Sequence, residues 1–512
     1  SSLISDAVSS GSDGSGYYDT PESGDSIPFG IGSVVEVPVK GEPHYGVIRW
    51  IGTVPGDKRP RKVAGIEMEE EHTGLGDGAF NGHRYFQCNP QRALFVSLNQ
   101  CRHDSRFQET NQILLQNKAD DFGGINSPVI SGVVRPISGE GDITALCGKY
   151  RGIQGHHNSC YLDATLFSMF TFTSVFDSLL YRPATSSDIM QYEEVQRVLR
   201  EEIVNPLRSN LYVRADRVMK LRTLMEKLSS VTGLTTEEKD PEEFLTSLVA
   251  QILRAEPFLK LNSGQEAYHY QLFVEKDEAL TLPTVQQLFE QSFLTSDIKL
   301  KQVPSCLIIQ MPRFGKTFKM YPRILPSQLL DVTDVIEDSP RQCTVCGKLA
   351  EYECKQCFDQ CDVGLQSISF CARCLDTAHS HERRRSHAWR PITVPHEFAV
   401  LKDHCIIPRL YMQLFAVVCI ETSHYVTFVK CGTGSDAPWC FFDSMADRKG
   451  EQNGYNIPEM VACPNLPYWL SEKGAQVLQQ IKDERQLPEH AKRLLCDAYM
   501  CMYQSSEVMM YR

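Results

Sequence analysis

Three widely separated residues have the types and settings of a thiol catalytic centre. The segment Gly152-Ile153-Gln154-Gly155-His156-His157-Asn158-Ser159-Cys160 is a polar loop ending at Cys160. Apolar residues then recur at helical spacing, with Leu162, Leu166, Met169 and Phe170 on the expected buried side. Cys160 therefore falls at a helix N-terminus, where the helix dipole and free N–H groups favour a thiolate and can hold an oxyanion. A thiol nucleophile needs a base, and the base needs an orienting group. His424 stands between the apolar runs 414–420 and 425–430, at a junction where a side chain can reach a cleft. Asp443 ends the run Trp439-Cys440-Phe441-Phe442. Adjacent antiparallel strands would bring Asp443 beside His424, fixing the imidazole tautomer and stabilising the imidazolium. His156 and His157 lie nearer to Cys160 in sequence and read as loop residues lining the cleft.

A second chemical signal is the series Cys343-x2-Cys346, Cys354-x2-Cys357 and Cys371-x2-Cys374, followed by His379, His381 and His387. These residues supply eight ligands for two tetrahedral zinc ions. An all-protein ligand set leaves no open coordination position, so the expected role is structural. A segment this short has little core of its own, which predicts an interleaved arrangement. Cys361 is left over as a spare. The run Arg383-Arg384-Arg385 reads as a solvated face.

The elements that must position these groups follow from length and patterning. The chain has 512 residues, enough for two to four domains of ordinary size. Residues 1–27 are rich in Ser, Gly and Asp and read as a disordered tail. Residues 28–102 carry short apolar runs split by glycines and predict a small β-barrel. The loop Gly74-Leu75-Gly76-Asp77-Gly78 should reach positive φ and allow another backbone to approach closely. Residues 103–148 read as a linker, with Ile113-Leu114-Leu115 able to dock on a neighbour. Residues 149–512 form one large unit, helical in its first half and strand-rich in its second, with 343–387 as an insert. Helices are predicted over 161–170, 190–202, 214–230 and 242–253, and strands over 306–311, 414–420, 425–430 and 439–442.

Composition excludes several classes. A net charge of −12 argues against a general nucleic-acid binder. No apolar run approaches the roughly 18 residues of a membrane span, so peripheral membrane contact is the most to expect. Seven of the 19 cysteines fall between Cys343 and Cys374 and the rest are scattered, which is not the pattern of a short disulfide scaffold. The expectation is reduced thiols and a cytoplasmic setting. The chain opens on Ser1 with no basic-then-apolar leader, and is expected to be a piece of a longer protein.

Cys160 with its flanks, His424-Tyr425, and Trp439 through Asp443 resemble the Cys and His boxes of the ubiquitin-specific protease family. Three further segments agree: Asp240-Pro241-Glu242-Glu243-Phe244-Leu245, Leu307-Ile308-Ile309-Gln310-Met311-Pro312-Arg313-Phe314, and Ala498-Tyr499-Met500-Cys501-Met502-Tyr503. The resemblance implies an α+β, papain-like domain that hydrolyses ubiquitin linkages, with Cys160 as nucleophile, His424 as base and Asp443 as its orienter. Many members carry Asn five residues before the nucleophile, where this chain has Gly155, and Asp or Asn after the aligning aspartate, where it has Ser444. Asn158 matches a common family position and is the candidate oxyanion donor, beside backbone N–H groups near Cys160. The cysteine-rich insert resembles a B-box. That likeness implies one zinc on Cys343, Cys346, Cys371 and Cys374 and another on Cys354, Cys357, His379 and His387, with His381 as the alternative to His379. The N-terminal region resembles a CAP-Gly domain, whose loop carries Lys and Asn where this chain has Leu75 and Gly76. The changed loop, residues 74–78, points to an adaptor protein or proline-rich peptide as ligand, or to ubiquitin itself. Trp50, Phe80 and Phe86 read as core aromatics.

The combination is similar to the cylindromatosis-type deubiquitinases. That likeness implies cleavage of linear and non-degradative lysine-linked polyubiquitin, restraint of NF-κB signalling, and a cytoplasmic location with microtubule or centrosome association. Two other functions are weighed against it. One is a non-catalytic scaffold that binds ubiquitin and adaptors, which a complete Cys160, His424 and Asp443 set opposes. The other is a ligase, for which discharge of a charged conjugating enzyme would be the signature.

Overall fold

The computed structural model describes residues 29–55, 61–107, 125–314, 318–359, 363–399, 407–448 and 454–505. The expected tail, Ile113-Leu114-Leu115 and Cys361 lie outside them. No described helix is long and apolar enough to cross a membrane.

The N-terminal strands are β1 (Val34–Val39), β2 (Glu42–Gly52), β3 (Val63–Met68), β4 (Ala93–Ser97) and β5 (Arg102–His103). They form one antiparallel sheet in the order β4-β3-β2-β1-β5. Val35, Val37, Ile48, Ala64, Ile66 and Leu94 fill its core. The expected barrel is thus a five-stranded sheet whose outermost strands, β4 and β5, do not pair with each other. Tyr85 and Phe86 lie beyond the two-residue strand His83–Arg84, held by N–H bonds to the carbonyl of Gly78.

The large unit is built on a nine-stranded sheet. Its main strands are β6 (Cys306–Gln310), β7 (Leu329–Asp331), β8 (Tyr411–Glu421), β9 (His424–Lys430), β10 (Trp439–Asp443), β11 (Glu459–Ala462) and β12 (Ala498–Gln504). The path runs β6-β12-β8-β9-β10-β11, with Tyr270–Gln271 beside β6, Gly148–Lys149 beside β11, and β7 pairing β8. Most of these strands are buried on both faces, so they read as unbroken apolar runs. Alternating residues of β8 face two separate cores. Phe415, Val418 and Ile420 join the core formed with the N-terminal helices, whereas Leu414, Val417 and Cys419 join the other.

Helix α1 (Cys160–Phe170) packs against β9 and β10. Ser168 and Thr427 share a buried hydroxyl hydrogen bond of 2.7 Å, and the Phe167 and Phe442 rings stack at 4.1 Å. The expected amphipathic stripe is not found, because every residue of α1 is buried. Such all-round burial marks a central helix rather than a surface one. Helix α2 (Ala215–Leu228) contributes Val218, Leu221, Leu224 and Met225 to the same core. Between them the chain is helical over residues 192–210, with a π segment Val198–Val204 just before Pro206, which lacks the N–H that a regular helix would use there.

The insert follows β7. It holds a three-stranded sheet of Tyr352–Glu353, Ser369–Phe370 and Arg390–Pro391, and the helix Ala372–His379. Its apolar core is small: Cys354, Phe370 and Leu375. Among the described residues no disulfide forms.

Candidate active site

Cys160 is the first residue of α1 and is buried. The N–H groups of a helix's first turn have no intrahelical acceptor, so those of Cys160 and Tyr161 are available to a ligand. The two-residue turn Thr422-Ser423 joins β8 to β9, pairs Glu421 with His424 and carries Thr422 at φ 60°. That turn lays the backbone of Ser423 and Tyr425 against the thiol, with Cys160 Sγ 3.9 Å from the Ser423 carbonyl. His424 lies between these two contacts. Its Nε2 is 2.7 Å from Asp443 Oδ1. This follows from register: β9 pairs β10 through Thr427↔Phe442, so Asp443 continues to the His424 end.

Burial pushes the Cys160 thiol up to about 12, against the opposing effect of the Tyr425 and Tyr161 backbone. A sulfur held toward the thiol form needs a base to become a nucleophile. Burial would also raise Asp443, but the hydrogen bond and charge of His424 and the Met445 N–H outweigh it, holding the carboxyl below its ordinary value. An ionised Asp443 can accept the His424 N–H, which leaves the other ring nitrogen as an acceptor.

The loop before Cys160 differs from the family pattern for a steric reason. A Cβ on Gly155 would lie 2.6 Å from Met445 Cγ and 2.8 Å from the Ser444 carbonyl oxygen. An Asn does not fit there without moving the chain beside Asp443. Asn158 has φ 56° and gives its amide to the Thr236 carbonyl at 2.9 Å. His156 is buried, bonded to the Gly454 carbonyl at 3.0 Å, stacked on Tyr455, and pushed down to about 4 mainly by burial. His156 is thus engaged by Gly454 and Tyr455 and is not among the residues against the thiol.

The remaining motif segments converge on a groove of about 390 Å³ that runs up to Ser423. Tyr425 donates to Asp240 at 2.6 Å, Tyr499 donates to Glu242, and Gln310 donates to Tyr499 at 3.2 Å. Asp240 also caps the helix that follows it, with Glu243 returning to its N–H. Glu238, Asp240 and Glu242 line it together with Lys239 and Arg313.

The insert brings its ligand residues together in two sets. One is Cys343, Cys346, Cys371 and Cys374; the other is Cys354, Cys357, His379 and His387. Cys346 and Cys371 sulfurs are 3.7 Å apart, and Cys357 Sγ lies 3.5 Å from His379 Nε2 and 3.3 Å from His387 Nδ1. His379 Nδ1 bonds the Leu375 carbonyl at 2.9 Å, which leaves Nε2 for a metal. His381 instead accepts from the Arg383 N–H and belongs to neither set. The Arg383-Arg384-Arg385 run is exposed.

In the N-terminal domain, Gly74 and Gly78 have φ near 97° and 99°. A Cβ on Gly78 would lie 2.1 Å from the Phe86 carbonyl oxygen, so the close backbone approach is real. Gly76 bridges to Ala93 in the sheet. Leu75 packs on the sheet core, and Asp77 is held by Arg84 at 2.7 Å. Trp50, Tyr85, Phe80 and Phe86 cluster around buried Phe95 and are themselves only partly buried, so they are not core residues as expected.

Several site residues escaped sequence reading. Arg222, Ser159 and Asp163 are buried around the Cys160 loop. A single Arg in a helix looks the same in sequence whether it faces water or a carbonyl cage.

Comparison with known proteins agrees with this geometry. The CAP-Gly domain pattern matches residues 31–101, and the ubiquitin carboxyl-terminal hydrolase pattern matches residues 151–503. Among curated proteins, "Ubiquitin carboxyl-terminal hydrolase CYLD" of Homo sapiens is 48% identical over 502 residues, covering 96% of this chain and 52% of that protein. The Mus musculus protein of the same name is 48% identical over 503 residues, with the same coverage. The chain thus spans about half the length of the curated relatives it matches. Among solved structures, the CAP-Gly domain of human kinesin-like protein KIF13B is 29% identical over 20% of this chain and 99% of that one, with a TM-score of 0.15. A match that runs through Cys160, His424 and Asp443 and takes in well over half the sequence places the chain in the ubiquitin carboxyl-terminal hydrolase family.

Proposed function

We propose that the chain is a thiol deubiquitinase in which Cys160 attacks the carbonyl of ubiquitin's C-terminal glycine. The observation that carries this is Cys160 at the start of α1, against the backbone on either side of a His424 already bonded to Asp443. His424 takes the thiol proton, which the buried sulfur holds tightly, and returns it to the leaving amine. Asp443 fixes the imidazole and balances its charge. The N–H groups at the head of α1 stabilise the tetrahedral oxyanion, with Asn158 as a further donor once it releases Thr236. Water then hydrolyses the acyl-enzyme. The groove beside Ser423 holds the extended tail.

A ubiquitin carrying a C-terminal electrophile should label the wild type and fail to label Cys160→Ala. Labelling of that variant, or none of the wild type, removes Cys160 from the role and leaves ubiquitin-binding scaffold as the reading.

The insert fits two structural zinc ions in a B-box cross-brace. Zn–S bonds of about 2.3 Å and Zn–N bonds of about 2.0 Å place tetrahedral ligand atoms roughly 3.5 Å apart, in line with the recorded 3.3–3.7 Å. The ions would cross-link a segment with little core, and supply no step of the reaction. The relatives' CAP-Gly and hydrolase likeness further supports adaptor or proline-rich peptide binding at the N-terminal domain. Preference for linear and non-degradative lysine-linked chains, restraint of NF-κB signalling and association with microtubules extend the same reading. A diubiquitin panel of every linkage tests the first of these.

A further inference from the structure

The loop that delivers Cys160 is strained and braced. His157 and Asn158 have φ of 46° and 56°, two successive non-glycine residues in the left-handed region. Such residues are strained and persist only when their surroundings enforce them. The enforcing group is Arg222 of α2, whose residue is 1% exposed. Its Nη1 donates to the His156 carbonyl at 2.9 Å, its Nη2 to the His157 carbonyl at 2.6 Å, and its Nε to the Leu234 carbonyl at 2.6 Å. Its fork thus serves three backbone carbonyls, with the Tyr161 hydroxyl beside it and the charge of buried Asp163 nearby. The other end of the loop is held separately. The His156 N–H donates to Ser159 Oγ at 3.0 Å, and that hydroxyl donates to Asp163 Oδ2 at 2.6 Å. Asp163 is fully buried on the first turn of α1.

These contacts engage the carbonyls of His156 and His157, the two peptides just ahead of the Ser159–Cys160 helix start. We propose that Arg222, assisted by the Ser159–Asp163 pair, is a positioning residue that holds residues 156–159 in the turn presenting Cys160 and its oxyanion donors. The inference rests on the reading of Cys160 as nucleophile.

Arg222→Lys keeps the charge but loses the planar fork, and one ammonium cannot span three carbonyls in fixed geometry. Turnover of a fluorogenic ubiquitin substrate by R222K should fall about ten- to a hundredfold in kcat, as small misplacements at reacting centres do, with KM unchanged. Alkylation of Cys160 by iodoacetamide should slow much less than turnover, since it needs the thiol and its base but no oxyanion donor. Wild-type kcat in folded R222K, or a loss confined to KM, would overturn the proposal. If R222K does not fold, Ser159→Ala decides: it breaks the second brace, and a folded S159A with wild-type kcat overturns the proposal, whereas a loss in kcat alone supports it. Failure of the nucleophile assignment itself would show differently, as a wild type that neither turns over substrate nor takes the ubiquitin electrophile at Cys160.

Discussion

At the scale of single residues, Gly155 shows how a departure from a family pattern can be imposed by packing. The position five before the nucleophile is Asn in many ubiquitin-specific proteases, and its absence looks in sequence like a missing oxyanion donor. The structure shows instead that there is no room: the Ser444 carbonyl oxygen and Met445 occupy the space of a Cβ, and the Gly155 N–H donates to that same carbonyl at 3.0 Å. Ser444 follows Asp443 directly, so a push here reaches the group that orients His424. Gly155→Asn should therefore not improve catalysis. Overpacking of a close-packed site costs about 1–3 kcal/mol, and displacement of Asp443 should lower kcat alongside the melting temperature. A G155N protein with wild-type stability and higher kcat would show that the site is open and lacked a donor.

At the scale of elements, the insert has little apolar core of its own to hold it. Its own apolar cluster is three buried side chains, with Leu365 and Ile368 joining the core of the large unit, which is little for more than forty residues. Elemental analysis should find about two zinc ions per chain, one for each four-ligand set. His379→Ala should lose one of them and His381→Ala neither, because only His379 is fixed by Leu375 with Nε2 facing Cys357. Amide exchange should then quicken over Tyr352–Glu353 and Ala372–His379 in H379A, while α1 keeps its protection. Equal metal content in the two variants would put the wrong histidine in the set. This choice was visible in the sequence only as an ambiguity, since spacing alone admits both histidines. Elements with strong periodicity were legible: β6, β8, β9 and β10 lie within a few residues of their expected positions, and α1 starts at Cys160. Helices Val285–Ser296 and Glu489–Asp497 were not anticipated. The first mixes apolar residues with a capping Thr284–Gln287 pair, a signal visible only when caps are sought before periodicity. The burial of all of α1 was not legible either, because the polar Asp163, Thr165 and Ser168 find their partners in other parts of the chain or on the preceding turn.

At the scale of the whole molecule, no spacing rule foretold which charges would join the parts. The N-terminal sheet meets the helical side of the large unit through Arg49, which sits at a bulge of β2 and reaches both Glu67 at 2.8 Å and Glu193 at 3.1 Å. Gln191 adds a bond to Glu69 at 2.7 Å. The bulge turns this one side chain out of the sheet, as bulges do. These contacts are half-exposed, and pairs of that kind contribute roughly 0–1 kcal/mol each. The junction with the insert is of another kind. Glu353, on the insert's own strand, is buried and faces Lys299 of the large unit at 3.0 Å, Arg341 at 2.7 Å and Arg390 at 2.6 Å. Nearby, Glu290 of the helix Val285–Ser296 accepts the Leu365 N–H of the insert at 3.0 Å. Burial alone would raise the Glu353 carboxyl, but Lys299 and Arg341 outweigh it and hold it at about 2, below its ordinary 4.5. A depressed carboxyl contributes stability that is complete above its unfolded value and is lost as pH falls through the folded one. Its contribution should thus be intact above about pH 4.5 and fade toward pH 2. Glu353→Gln leaves Arg341 and Lys299 buried without their counter-charge, a loss of about 3–5 kcal/mol. The variant should melt well below wild type at neutral pH, and the gap should close as acid protonates Glu353 in the wild type. A gap that stays constant from pH 7 to about pH 2.5 would mean that Glu353 acts through its shape and hydrogen bonds, with its charge playing no part in fastening the insert to the sheet.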